Sequence, residues 1–226
     1  MGLLRIKPIL QTWGGTLRGQ VPSLSIEITR ECPLRCPGCN IQGHHIAVHC
    51  TITSAMVKRS AYVPEFVELW SANPAVEKIW MSIFTPQRGA ANAECLSADE
   101  RSQVVETLLR VRRDWPKLDM PEAMIQEFLS PPVSPDRCIF AQTTRTLSAD
   151  LRTGVEPCQF GGDPDCSRCG CMASMGLAAV GNRKLLGPIT TGHIFWASRA
   201  TGRHVRRAEE MGQKLTNLRP GEPQTQ

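Results

Sequence analysis

Apolar and polar residues alternate along LSIEIT, from Leu24 to Thr29. That is the period of a strand with one buried face. IAVHCTIT, from Ile46 to Thr53, is rich in β-branched residues and predicts a second strand. Pro64 suits the first turn of a helix that carries Phe66, Val67, Leu69 and Trp70 and stops before Pro74. IWMSIF, from Ile79 to Phe84, is almost continuously apolar, as a buried parallel strand requires. Ser97 and Glu100 form a capping box. It opens a helix with Val104, Val105, Leu108 and Leu109 on one face, ending near Trp115 and Pro116. A short helix over 121–129 follows, before Pro131 and Pro132 break the chain.

This order is the rhythm of an α/β layer fold. From Arg137 the texture changes. The stretch from Thr144 to Pro157 predicts a hairpin or turn pair with Gly154 as its left-handed residue. The cysteine-rich GGDPDCSRCGC comes next, then a helical segment from Gly192 to Leu215 and a loose Pro/Gly/Gln tail from Arg219. No internal repeat is present. The chain therefore divides into 1–136, 137–181 and 182–226.

Bulk numbers narrow the function classes. The net charge is +5 over 226 residues, with a single tyrosine. A nucleic-acid binder would show a denser basic stripe with interleaved aromatics, so nucleic acid is disfavoured as a partner. No apolar run approaches the roughly 20 residues of a spanning helix. The N-terminus is broken by Lys7 and Pro8 and lacks a small-residue cleavage site, so the expected location is the cytoplasm. Ten cysteines in a reducing compartment point to metal or redox chemistry rather than disulfides.

Cys32, Cys36 and Cys39 follow the first strand at C-x3-C-x2-C spacing. Three thiolates on one loop can converge on a metal centre. Iron-sulfur clusters are normally held by four cysteines, so three would leave one iron open to a small molecule. Two other readings stand beside this one. Cys36-Pro-Gly-Cys39 could be a redox dithiol, or the three cysteines could share zinc with His44, His45 or His49.

LSIEITRECPLRCPGC resembles the signature of the radical S-adenosylmethionine (SAM) superfamily. The resemblance implies a [4Fe-4S] cluster on Cys32, Cys36 and Cys39 whose open iron is chelated by SAM. It also implies a reducing electron donor, and cleavage of SAM to a 5′-deoxyadenosyl radical that acts on a substrate the sequence does not name. Two positions depart from the family pattern. Gly38 stands where an aromatic residue usually precedes the third cysteine, and no Gly-Gly-Glu motif occurs at a plausible place. Gly161-Gly162-Asp163 lies within the late cysteine segment and is not taken for it.

The late group comprises Cys138, Cys158, Cys166, Cys169 and Cys171. LSADLRTGVEPC looks like the opening of the auxiliary-cluster extension carried by several radical SAM enzymes, although the downstream spacing differs. A second [4Fe-4S] cluster is the first expectation and structural zinc the alternative.

Six residues separate Cys39 from Ile46, whereas a parallel crossover needs about a dozen or more. The second strand therefore either pairs antiparallel or resumes after a lost block of barrel; the second option fits better. The fold expected is α/β: a partial, truncated radical-SAM-type βα barrel with a small cysteine-rich C-terminal segment. Missing strands would leave exposed edges, so a rearranged small sheet or a chain stabilised by its metal centres is expected. Two functions follow: a radical SAM enzyme, or a catalytically inactive metalloprotein that keeps its cluster or zinc.

Overall fold

The structure is a computed structural model and describes residues 14, 17–18, 23–26, 46–148 and 150–217. Cys32, Cys36, Cys39, His44 and His45 lie outside the described residues. The chain divides into two units: Ser25–Asn182, and the described residues of Met1–Leu24 with Arg183–Gln226. It is a mixed α/β protein with small sheets, and no closed barrel is present among the described residues.

In the larger unit, strand β1 spans Ser23–Ile26, its last two residues belonging to this unit. Strand β2 (Ile46–Ile52) leads through the short helix α1 (Ser54–Val57) and helix α2 (Tyr62–Ala72) to β3 (Val76–Ile83). β2 and β3 pair in parallel, with Ala47 opposite Lys78 and Ile52 opposite Ile83. The crossover is long enough to carry a helix, as a parallel pair demands, and α2 buries Val63 and Val67. The antiparallel option for the second strand is thus not the one β2 takes with β3. β1 lies in a different sheet, of order β1-β4-β5.

Helix α3 (Ala98–Asp114) begins at the predicted capping box: the Glu100 N–H donates to Ser97 Oγ at 3.1 Å and the Ser97 N–H to Glu100 Oε2 at 2.7 Å. Val104, Val105, Leu108 and Val111 form its buried stripe, the i, i+4, i+7 spacing of one helix face. Helix α4 (Glu122–Gln126) continues into a 3₁₀ turn, Glu127–Leu129, that buries Phe128. With Ile52, Ile79, Met81, Ile83, Leu96 and Met175 these residues make one apolar core.

β3 has β2 on one side and no full strand on the other. Three N–H groups on that second side nevertheless find partners, as buried backbone must. Ile79 N–H donates to Lys117 O at 2.7 Å, and its carbonyl accepts from Asp119 N–H at 3.1 Å. The Met81 N–H points at Met120 Sδ (3.2 Å), and the Ile83 N–H donates to Gly170 O at 2.9 Å. Two short pieces, one before α4 and one from the cysteine-rich segment, therefore close the edge that a truncated barrel would leave open.

Helix α5 (Ile139–Thr143) precedes the hairpin of β4 (Thr144–Leu147) and β5 (Gly154–Val155). The hairpin forms where predicted, but its left-handed residue is Leu151 (φ 57°), not Gly154. Asp150 explains the exchange. Its carboxylate accepts from the Arg152 and Thr153 N–H groups, both at 2.9 Å, and from the Thr153 hydroxyl. These bonds fix an Asx-type turn that tolerates a side chain at positive φ. Helix α6 (Met172–Asn182) ends this unit.

In the second unit, β6 (Lys184–Leu186) and β7 (Ile189–Thr190) pair antiparallel around Gly187 (φ 53°), followed by the predicted helix, α7 (Thr191–Asn217). No helix among the described residues is long and apolar enough to cross a membrane.

Candidate metal centre

Cys138, Cys158, Cys166, Cys169 and Cys171 line one pocket, together with Thr85 and Ser174. They arrive from three separate stretches of chain. Cys138 is the N-cap of α5, and its Sγ accepts from Ala141 N–H at 3.5 Å. Cys158 directly follows the β4–β5 hairpin. Cys166 opens a 3₁₀ turn, Cys166–Arg168, and Cys171 immediately precedes α6. None of the five is in a disulfide. All five late cysteines singled out in the sequence are brought together.

What holds the cysteine loop in place is largely backbone. Gly170 lies flush on β3: a Cβ there would sit 1.9 Å from the Ile83 carbonyl oxygen, far inside van der Waals contact. Its N–H donates to Thr85 Oγ1 at 2.9 Å. The loop after β3 runs beside the segment before Cys166: Arg88 N–H donates to Asp163 O and Asp165 N–H to Pro86 O, each at 2.8 Å. Gly162 (φ 62°) turns the chain between Cys158 and Cys166, and a Cβ there would meet Gln87 Oε1 at 2.9 Å.

Arg101, on α3, is buried and donates to three carbonyls: Phe128 O at 2.9 Å, Cys169 O at 3.0 Å and Arg168 O at 2.6 Å. Its buried charge thus ties the turn that ends at Cys169, through two carbonyls, to the turn that carries Phe128. Arg168 Nη2 donates in turn to Leu96 O at 2.8 Å. Arg101, Gly170 and Thr85 are residues that sequence reasoning missed. Arg101 had a signal, since it sits one turn before Val104 and Val105 on an otherwise apolar stripe. A charge there needs buried acceptors.

The sulfur atoms receive donors. Gln159 Nε2 donates to Cys171 Sγ at 3.1 Å, and the Ser174 hydroxyl lies 3.1 Å from Cys138 Sγ. The backbone N–H groups of Ser174 and Ala173, in the first turn of α6, also point at Cys171 Sγ. Thr85 Oγ1, already accepting from Gly170, directs its hydroxyl at Cys169 Sγ at 4.0 Å. Burial is the main force on four of these thiols. It pushes Cys171 up to about 12, with Cys169 next to it adding to the rise, and Cys166 up to about 11, helped by Cys169, Cys158 and Cys138. Burial also raises Cys158 and Cys169. Cys158, Cys166, Cys169 and Cys171 thus keep their protons at neutral pH unless a metal displaces them.

The pocket is tight. Its cavity volume is ≈ 20 Å³, about enough for one water molecule. Among the described residues, no group of three or more His, Cys, Asp or Glu side chains is set to hold a single metal ion.

His49, the described histidine of the zinc alternative, lies on β2 with its Nε2 2.8 Å from Ser82 Oγ. Ser82 Oγ accepts from Met172 N–H at 3.2 Å, leaving its hydroxyl hydrogen free to donate to His49. Burial holds His49 below its usual pKa, which suits a neutral ring accepting that bond. This is a satisfied strand position. Compared with protein families, curated proteins and solved structures, the chain matches none of them.

Proposed function

We propose that the chain is an iron-sulfur protein of radical SAM type, with a SAM-binding [4Fe-4S] cluster on Cys32, Cys36 and Cys39 and an auxiliary thiolate centre in the late-cysteine pocket. The observation that carries the reading is the gathering of five cysteines from three stretches of chain around one pocket. Cysteines scattered over a core have no reason to meet. Cysteines that meet beside aimed N–H and O–H donors suit thiolate ligation, because hydrogen bonds to sulfur stabilise its charge and tune such clusters.

The resemblance of LSADLRTGVEPC to the opening of an auxiliary-cluster extension favours a cluster for the late centre. Zinc, which also takes four thiolates, is the alternative. When bound, the early cluster would supply one-electron reduction of SAM. The protein would supply ligation and exclusion of water. An electron donor and an organic substrate complete the proposal.

A second reading has its own support. The tight pocket suits a lone ion, and neither a Gly-Gly-Glu motif nor, among the described residues, a closed barrel is present. In that reading the chain is a catalytically inactive metalloprotein that holds zinc or a cluster at the late site. Anaerobic purification, reconstitution with iron and sulfide, and metal analysis separate the two. The proposal expects iron and sulfide in equal amounts, and 5′-deoxyadenosine once SAM and dithionite are added. A colourless chain that retains zinc alone would remove the cluster from both sites. Clusters without 5′-deoxyadenosine would leave the inactive metalloprotein.

A further inference from the structure

Five thiols surround a centre that needs four. We infer that Cys138, Cys158, Cys169 and Cys171 are the ligands, that Cys166 is a spare thiol, and that the late centre is therefore closed by protein sulfur on every side. The inference rests on the metal-centre reading above and holds for a cluster or for zinc, each of which takes four thiolates.

Three observations select this set. The first is donors. Cys138 accepts from Ala141 N–H and faces Ser174 Oγ, while Cys169 is addressed by Thr85 Oγ1. Cys171 accepts from Gln159 and from the first turn of α6, and Cys158 from the Phe160 N–H. These are groups that favour a thiolate over a thiol. The interactions of Cys166 are with other thiols and with Arg88, not with a hydrogen-bond donor.

The second is anchoring. Cys138 and Cys171 sit at the starts of helices α5 and α6, and Cys169 is held by Arg101 and by its neighbour Gly170. Cys166 begins a single 3₁₀ turn rather than a helix, and Ser167 after it is exposed. The third is a bridge. Ser174 faces Cys138 through its hydroxyl and Cys171 through its N–H, so one residue orients two sulfurs.

The consequence is functional. A centre with four protein thiolates has no position left for a small molecule, so it relays electrons or holds the fold and does not bind substrate. The spacing alone suggests a different set, since Cys158 and the run C-x2-C-x-C already supply four.

The test uses the full chain carrying Cys32→Ala, Cys36→Ala and Cys39→Ala, so that only the late centre loads, reconstituted anaerobically with iron and sulfide and, separately, with zinc. Cys166→Ala is expected to keep the metal content and spectrum of its parent. Cys138→Ala and Cys171→Ala are expected to lose at least half of the metal or to show a changed spectrum. Cyanide added to the Cys166→Ala form should leave the spectrum unchanged. Because a ligand variant can fail to fold, native alkylation of the loaded parent, read by peptide mass spectrometry, gives an independent answer: within the late group, Cys166 alone is labelled. Loss of metal in Cys166→Ala, or protection of Cys166 with labelling of Cys138 or Cys171, overturns the ligand set but leaves the metal centre standing. A parent that takes up neither iron nor zinc overturns both.

Discussion

Gly170 shows how much a single residue decides here. Between two cysteines it could pass for a flexible spacer, yet its backbone is pressed against Ile83 with no room for a methyl group. Gly170→Ala must therefore push the cysteine loop off β3 and break the Ile83–Gly170 and Gly170–Thr85 hydrogen bonds. The expected loss is on the order of 3 kcal/mol, at the upper end for overpacking, read as a lowered urea midpoint, together with weaker metal retention at the late centre. An unchanged midpoint would contradict the docking described.

His49 gives a pH signature. Its folded pKa lies below the ordinary value because of burial, so the unfolded chain takes up the proton first. Stability from this group is complete above the unfolded pKa of about 6.5 and is lost as pH falls below it toward the folded value. Urea midpoints measured across this window should fall on acidification, and less so in His49→Gln. The same slope in both proteins would remove His49 as its source.

At the scale of elements, the β2–α2–β3 unit and α3 were legible because their signals are periodic and local: β-branched runs, a capping box, an apolar stripe. The hairpin was legible too, but not its turn residue. Gly154 was the obvious candidate, whereas Asp150 builds the turn with its own carboxylate and lets Leu151 take the positive φ. The second edge of β3 was not legible, because its partners are backbone groups of Lys117, Asp119 and Gly170 that carry little side-chain signal and lie far along the chain.

Two substitutions test the packing of these elements. Leu108→Ala empties a fully buried position on α3 and should cost about 2–5 kcal/mol, with no change in the urea m-value. Arg101→Met keeps the apolar stem but leaves three carbonyls without their donor, a loss of roughly 1–3 kcal/mol for each group that water cannot reach. It should also loosen the turn before Cys169, raising the alkylation rate of Cys169 in the metal-free chain. If only stability falls and that rate stays constant, Arg101 supports the core and does not position the site.

For the whole molecule, the spacing of the late cysteines announced thiolate chemistry but could not say that Cys138 belongs with the others. That depends on α5 and α6 placing Cys138 Sγ against Ser174. The early motif remains a matter of sequence alone, since Cys32, Cys36 and Cys39 lie outside the described residues. The structure shows how a two-stranded sheet is finished in physical terms, because backbone from two other segments bonds along the second edge of β3. The cysteine loop is one of those segments, so metal binding and sheet integrity should be coupled. Chelation of the loaded chain is expected to lower its thermal midpoint rather than only bleach it.

The late cysteines are proposed to form a metal-thiolate centre in their own right. Anaerobic reconstitution of the Cys32→Ala, Cys36→Ala, Cys39→Ala chain with iron and sulfide, followed by metal, sulfide and absorption analysis, is the decisive test. One four-iron cluster per chain is expected, with the broad visible absorption of thiolate-bound iron. A colourless protein holding neither iron nor zinc would contradict it.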